Sequence, residues 1–208
     1  MKFDFGYKNI LKPACLVAAL MTCSSASASI INSDFSDGLN NWNADYSYFD
    51  GAQEHYYEPV IDFADFTDNF STGSNSVTLT TSFDDDNEYF GLYLFQQFEV
   101  ADDAFELSLN VDYHLTDFDI DWASVTLVDE NFDVIHDFMN DGLSVNISSL
   151  TGSLVSLELG LEDGDFVYGD YLTVSDITMS SVEVPEPSSV ALFALAFLAL
   201  SRRVFTRS

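Results

Sequence analysis

The residues with most chemical reach in this chain are carboxylates. Asp84-Asp85-Asp86-Asn87-Glu88, Asp117-Phe118-Asp119-Ile120-Asp121 and Glu162-Asp163-Gly164-Asp165 crowd acids into short stretches. Hard cations such as Ca2+ take oxygen ligands, and carboxylates without competing Lys or Arg are available to them. The first cluster falls in a turn between two expected strands, where Asp84, Asp86 and Glu88 can converge on one ion. The second opens like a calcium loop, D-x-D-x-D. It has Trp122 where the loop needs Gly and Val128 where it needs Glu, so it is not an EF-hand. At period two its acids also suit one solvent face of a strand. The plain alternative for all three is a hydrated acidic surface in salty surroundings, where ions screen the mutual repulsion.

A second set of candidates is aromatic. Tyr46, Tyr48, Tyr56 and Tyr57 gather in the irregular stretch 43–75, near Glu54 and His55. Aromatic faces stack on the apolar faces of sugars, and carboxylates accept hydrogen bonds from hydroxyls. Loops on a rigid scaffold are where such residues collect. Most aromatics of a domain are nevertheless core. For catalysis the sequence offers no G-x-S-x-G, no H-E-x-x-H and no glycine-rich phosphate loop. Its three histidines, His55, His114 and His136, are far apart. Glycosidase chemistry needs only two carboxylates, and among this many acids a pair can always be drawn. No catalytic residue is therefore assigned.

These side chains belong to a very acidic chain. Of 208 residues, 6 are Lys or Arg and 35 are Asp or Glu, a net charge of −29. Such a chain repels a phosphate backbone, which excludes nucleic-acid binding through a basic surface. All six basic residues lie at the ends: Lys2, Lys8, Lys12, Arg202, Arg203 and Arg207. The span 29–184 holds 33 of the acids and no Lys or Arg. Its carboxylates must be solvated, hydrogen-bonded or neutralised by bound cations. With 47% hydrophobic and 15% aromatic residues, the chain is too apolar to be an acidic disordered polymer.

The first 28 residues read as a secretory signal: three lysines, the apolar run Ala14–Cys23, and an A-x-A cleavage site at Ala26 and Ala28. Leu20-Met21-Thr22-Cys23 also has the skeleton of a lipoprotein signal, though Thr22 is a poor residue before a lipidated Cys. Both cysteines, Cys15 and Cys23, fall in this segment. A mature chain without it has no disulfide, no thiolate metal site and no cysteine nucleophile.

At the other end, Val184-Pro185-Glu186-Pro187 precedes an apolar run over 190–200 and then Arg202, Arg203 and Arg207. The prolines stop the last strand. The run is short of the ~20 residues that span a bilayer comfortably, and spans marginally with its arginines snorkelling. The arginines fix the C-terminus on the cytoplasmic side. This tripartite tail resembles the PEP-CTERM sorting signal of Gram-negative bacteria. The resemblance implies a short transmembrane helix in 184–208, transient residence in the inner membrane, and processing by an exosortase near Pro185–Pro187. Signal peptidase would be the other processing partner. The product would be released or anchored at the cell surface, often where exopolysaccharide is made.

Between the two signals, 29–183 reads as one all-β domain. Ser76–Phe83, Tyr89–Val100, Phe105–Leu115, Ser124–Val128, Asp133–Phe138, Leu143–Ile147, Ser153–Leu161 and Tyr171–Val184 show strand patterning, with Asp129–Phe132 a hairpin turn. Short strands with Gly, Asp and Asn turns predict an antiparallel β-sandwich. The edges Asn32-Ser33-Asp34-Phe35 through Trp42, and Tyr171 through Met179, resemble the opening and closing strands of jelly-roll carbohydrate-binding modules. That resemblance implies a buried indole at Trp42 and a structural calcium held by Asp176 with Asp34. Ser33 and Ser36 depart from it, replacing the usual Gly and Glu. The expectation is an exported, acidic, non-catalytic sandwich that binds extracellular polysaccharide and calcium or serves as a structural matrix protein. The alternative is a hydrolase of surface polysaccharide.

Overall fold

The computed structural model describes residues 29–81, 89–165 and 167–182. Among the described residues eleven strands form two antiparallel sheets, as the alternation predicts. They are β1 (Asn43–Phe49), β2 (Glu54–Tyr57), β3 (Phe70–Gly73), β4 (Ser76–Thr80), β5 (Tyr89–Glu99) and β6 (Ala104–His114). The series continues with β7 (Trp122–Asp129), β8 (Val134–Asp137), β9 (Ser144–Asn146), β10 (Leu154–Asp163) and β11 (Tyr171–Ser181). One sheet has six strands in the order β2-β1-β5-β10-β7-β8; the other has five, β3-β4-β11-β6-β9.

Alternation decides which residues fill the space between the sheets. From the six-stranded sheet come Leu92 and Leu94 on β5, Leu157, Leu159 and Leu161 on β10, and Val125 and Leu127 on β7. Facing them are Val77 and Leu79 on β4, Leu107 and Leu109 on β6, and Leu172 and Val174 on β11. All belong to one core cluster. Nothing in 29–182 offers a Lys or Arg to this fold, so burial of these branched side chains and backbone pairing carry it.

The first fourteen described residues form turns rather than a strand. Asn32 organises them: its Nδ2 donates to the carbonyls of Gly38 (2.9 Å) and Asn40 (3.1 Å), and its Oδ1 accepts from the Asp37 amide (3.0 Å). Phe35 and Trp42 then stack at 5.3 Å and enter the core, Trp42 as expected. The buried Gln96 ties this segment to β5, accepting from the Ile31 amide at 2.6 Å and donating to the carbonyls of Ile31 and Asn41 at 2.9 Å.

The stretch 43–75 departs from the expectation of an irregular region. It supplies three strands, β1, β2 and β3, and β1 pairs with β5 over seven residues. Its alternation of Ala44, Tyr46 and Tyr48 against Asp45, Ser47 and Phe49 is a strand pattern. Turn residues such as Asp50-Gly51 and Pro59 break it into pieces too short to stand out.

Candidate binding groove

Burial separates the four expected ligand tyrosines. Tyr46 is 4% exposed and packs its ring against Phe66, Phe70 and Phe90. It is a core residue, and ligand contact by its ring is corrected on that ground. Tyr48 stacks on His55 at 4.5 Å and on Tyr57 at 6.4 Å, on the same side of the sheet as Tyr46. His55 in turn bonds Asp50 (Nε2 to Oδ2, 2.7 Å), which holds the Asp50 carboxyl down at about 2. Tyr56 and Tyr57 are exposed, but they point to opposite faces, as neighbours on a strand must. Only Tyr56, whose hydroxyl donates to Glu54, shares the outer face of the six-stranded sheet.

That outer face carries the concavity of interest. A groove of about 380 Å3 is lined by Asn43, Asp45, Tyr93, Phe95, Glu158 and Phe132, among others. Register explains the grouping. Asp45 lies opposite Tyr93, Tyr93 opposite Gly160, and Phe95 opposite Glu158, so three adjacent strands present them side by side.

Two glycines set the attitude of Tyr93. A Cβ on Gly160 would sit 3.2 Å from the ring's Cδ1 and Cε1, and one on Gly91 would sit 3.5 Å from Cε2. The ring therefore lies down on the sheet against the two glycines, in contact range of a Cβ at Gly91 and pressed by one at Gly160. Its hydroxyl donates to Glu162, which fixes the far end of the ring. The wall of the groove comes from the β7–β8 hairpin. Asp129 Oδ1 accepts from the amides of Asn131 (2.8 Å) and Asp133 (3.0 Å), closing the turn. Those bonds hold the Asp129 carboxyl below its ordinary range. The turn puts Phe132 at φ +65°, a conformation uncommon for a bulky side chain, and leaves it 79% exposed beside the groove.

The groove's acids are partly withdrawn from water. Burial raises the Asp45 carboxyl, with the nearby Glu58 charge adding to it. Burial also raises Glu158 and Glu162. Glu158 and Glu162 stand four residues apart on one strand, about 14 Å along its axis. A glycosidase pair needs about 5–9.5 Å. What the site offers is a flat aromatic platform, an exposed phenyl wall, and carboxylate and amide groups that can take hydroxyl hydrogen bonds.

The metal candidates behave differently. Asp34 closes its own turn, accepting from the amide (3.1 Å) and hydroxyl (2.9 Å) of Ser36, and these bonds lower its carboxyl. Asp176 sits at φ +53° beside a register shift of β11 and accepts from Asn110 Nδ2 at 3.0 Å. Each is tied into separate local bonds. Asp84, Asp86 and Glu88 lie outside the described residues. So do Ala26 and Ala28, the sorting residues Val184, Pro185, Glu186, Pro187, Arg202 and Arg203, and the helix expected in 184–208. Among the described residues no helix is long and apolar enough to cross a membrane.

Residues 183–207 match the PEP-CTERM protein-sorting motif. That motif indicates an exported protein and implies exosortase processing. No curated protein matches the chain. A similar solved structure is TmCBM61 in complex with beta-1,4-galactotriose. It is 12% identical, with a TM-score of 0.43, over 74% of this chain and 97% of that one.

The groove residues Tyr93, Phe95, Phe132, Asp45 and Glu158 were not marked by their sequence positions. One signal was present. Gly91 and Gly160 fall on polar-side positions of two long strands, and a glycine inside a strand marks a close approach.

Proposed function

We propose that this exported protein binds a neutral polysaccharide through the groove on the six-stranded sheet, as a non-catalytic module at the cell surface or in the extracellular matrix. The observation that carries the reading is the Tyr93 ring, laid flat between Gly91 and Gly160 and anchored on Glu162. An aromatic held flat at the floor of an open groove presents its whole face to a pyranose ring. Phe95 and Phe132 extend the apolar surface, while Asn43, Asp45 and Glu158 stand where sugar hydroxyls would need partners. Neutral chains fit best, because a groove lined with carboxylates on a chain of charge −29 repels uronate or phosphate polymers.

Affinity electrophoresis of the full chain through gels containing neutral or anionic polysaccharides tests this. A neutral polymer should retard the wild-type chain, and Tyr93→Ala should weaken the retardation at least about tenfold, the scale of one lost stacking contact. Tyr57→Ala, on the opposite face, should leave it unchanged. Equal retardation of wild type and Tyr93→Ala would remove the groove from consideration. Release of reducing ends from the retarding polymer would favour the hydrolase reading.

A further inference from the structure

Three carboxylates meet at one end of the sandwich. Asp121 directly precedes β7, Asp163 closes β10 and Asp170 directly precedes β11. One carboxylate oxygen from each lies within 4.8 Å of the others, and all three residues are buried, Asp163 and Asp170 completely. β7 and β10 belong to the six-stranded sheet and β11 to the five-stranded one, so the cluster bridges the layers.

The surrounding backbone aims these groups. Asp121 Oδ2 accepts from the Asp117 amide (2.8 Å) and the Thr116 hydroxyl (3.1 Å), and its Oδ1 accepts from the Gly164 amide (3.1 Å). Asp163 Oδ1 accepts from the Asp165 amide at 3.1 Å. Asp170 Oδ1 accepts from the Thr116 amide at 2.6 Å, and the Asp170 amide donates to the Thr81 hydroxyl at 3.1 Å. Gly164 lets the end of β10 approach the 117–121 turn, where a Cβ would lie 2.9 Å from Ile120 Cγ2 and 3.2 Å from its carbonyl oxygen.

Asp170 Oδ2 is buried and has no hydrogen-bond partner among the described residues. A buried carboxylate oxygen without a partner is costly, and the cost grows when two more carboxylates stand beside it. No Lys or Arg exists between residues 29 and 184 to supply the missing charge.

We infer that Asp121, Asp163 and Asp170 form a calcium site that clasps the two sheets together. All the donors are hard oxygens, with no His or Cys in the set, which disfavours zinc and other softer metals. Two oxygens each about 2.4 Å from one Ca2+ are at most about 4.8 Å apart, which this cluster satisfies. Ligands drawn from separate loops suit the flexible coordination of Ca2+ better than the near-octahedral demand of Mg2+. Within the acid-rich runs, the site takes Asp121 and Asp163, and it adds Asp170, which stands apart from them. It is separate from the expected pair Asp34 and Asp176, and it does not depend on what the groove binds.

Thermal unfolding of the full chain in detergent, in about 0.5 M NaCl to screen general surface charge, tests the site. Ca2+ against chelator should raise the wild-type midpoint by about 5 °C or more. Asp170→Asn should lose that increment. In chelator the same variant should unfold at or above the wild-type temperature, since an uncompensated charge has been removed, so the two proteins change order when Ca2+ is added. Asp163→Asn should lose the increment as well, and it decides the matter if Asp170→Asn fails to fold. Asp34→Asn and Asp176→Asn should keep it. The inference is overturned if Ca2+ leaves the wild type unmoved, if the folded cluster variants retain the increment, or if Asp34→Asn or Asp176→Asn abolishes it. Stabilisation of the wild type by acid but not by Ca2+ would assign the cluster to a shared proton and would also overturn it.

Discussion

The outer faces of the two sheets are built on the same alternation and come out opposite in character. On the five-stranded sheet, β4 presents Ser76, Thr78 and Thr80, β11 presents Thr173 and Ser175, and β6 presents Ser108, Asn110 and Asp112. Most are short side chains, with Tyr171 opposite His114 at the end of the face; Thr78 and Thr173 lie opposite and share a 2.8 Å hydroxyl bond. On the six-stranded sheet, the same positions hold Tyr93, Phe95, two glycines and carboxylates that burial has raised. Alternation thus settles which residues leave the core, but not whether the face they form is finished. On the five-stranded face polar side chains pair with one another, Thr78 with Thr173 and Asn110 with Asp176. The six-stranded one leaves a ring, a phenyl wall and several acceptors at its surface, the features on which the proposed binding rests.

The most damaging way to erase this difference is to fill the glycine under the ring. In Gly160→Val the new branches must displace both Ser124 and Tyr93, because even a Cβ stands 2.9 Å from Ser124 Oγ and 3.2 Å from two ring atoms. The ring then leaves Glu162. Urea unfolding should show a loss of about 2 kcal/mol, within the range for overpacking, and polysaccharide retention should fall with it. If stability is kept and retention also persists, the flat ring is not the platform.

A subtler change keeps the ring and removes only its anchor. Tyr93→Phe deletes the donor to Glu162 and should cost about 1 kcal/mol near neutral pH. Its pH dependence is more telling. A carboxyl raised in the folded state contributes stability in full below its unfolded value, here 4.5, and loses that contribution as pH rises through the folded value. The wild type should therefore gain stability as pH falls from 7 towards about 4.5. Tyr93→Phe should gain more steeply, and Glu158→Gln with Glu162→Gln should flatten the slope. Asp34, Asp50 and Asp129 work in the other direction. They are lowered, so their contribution is present above 3.8 and lost as pH falls further. Melting curves across pH should thus pass through a maximum on the acid side of neutrality, and a monotonic fall from pH 7 downward would contradict this account.

The sequence made these two faces unequally legible. Strand β4 and strands β6 to β11 show through because Val, Leu and Phe alternate with polar partners. Strands β1 to β3 do not, since a tyrosine can serve either side of a strand, and Asp50-Gly51 and Pro59 cut the pattern short. The same ambiguity misplaced Tyr46 as a ligand residue: its type suits stacking on a sugar as well as packing on Phe66, and only the position of the opposite sheet decides. In Tyr89–Val100 the reverse holds. Leucines and aromatics alternate, both apolar, so the inward set is undefined until Leu157, Leu159 and Leu161 of β10 are laid beside it. The convergence of Asp121, Asp163 and Asp170 was out of reach for another reason. Asp121 stands 42 residues from Asp163 in the chain, and only the pairing of β7 with β10 and the packing of β11's sheet against them bring the three together.

The smallest expected effect falls on the five-stranded face, and it tests whether that face is as self-contained as it looks. Thr78 and Thr173 bond each other, so changing one alone strands a half-buried hydroxyl, whereas changing both removes the pair together. Thr78→Val with Thr173→Val keeps shape and β-branching, so it should alter stability by no more than about 0.5 kcal/mol and leave polysaccharide retention intact. Either single change should cost more than the double, giving a favourable coupling in a double-mutant cycle. If the double variant instead lost retention, the ligand surface would have to be sought on both sides of the sandwich, and the contrast between its faces would reduce to one of composition.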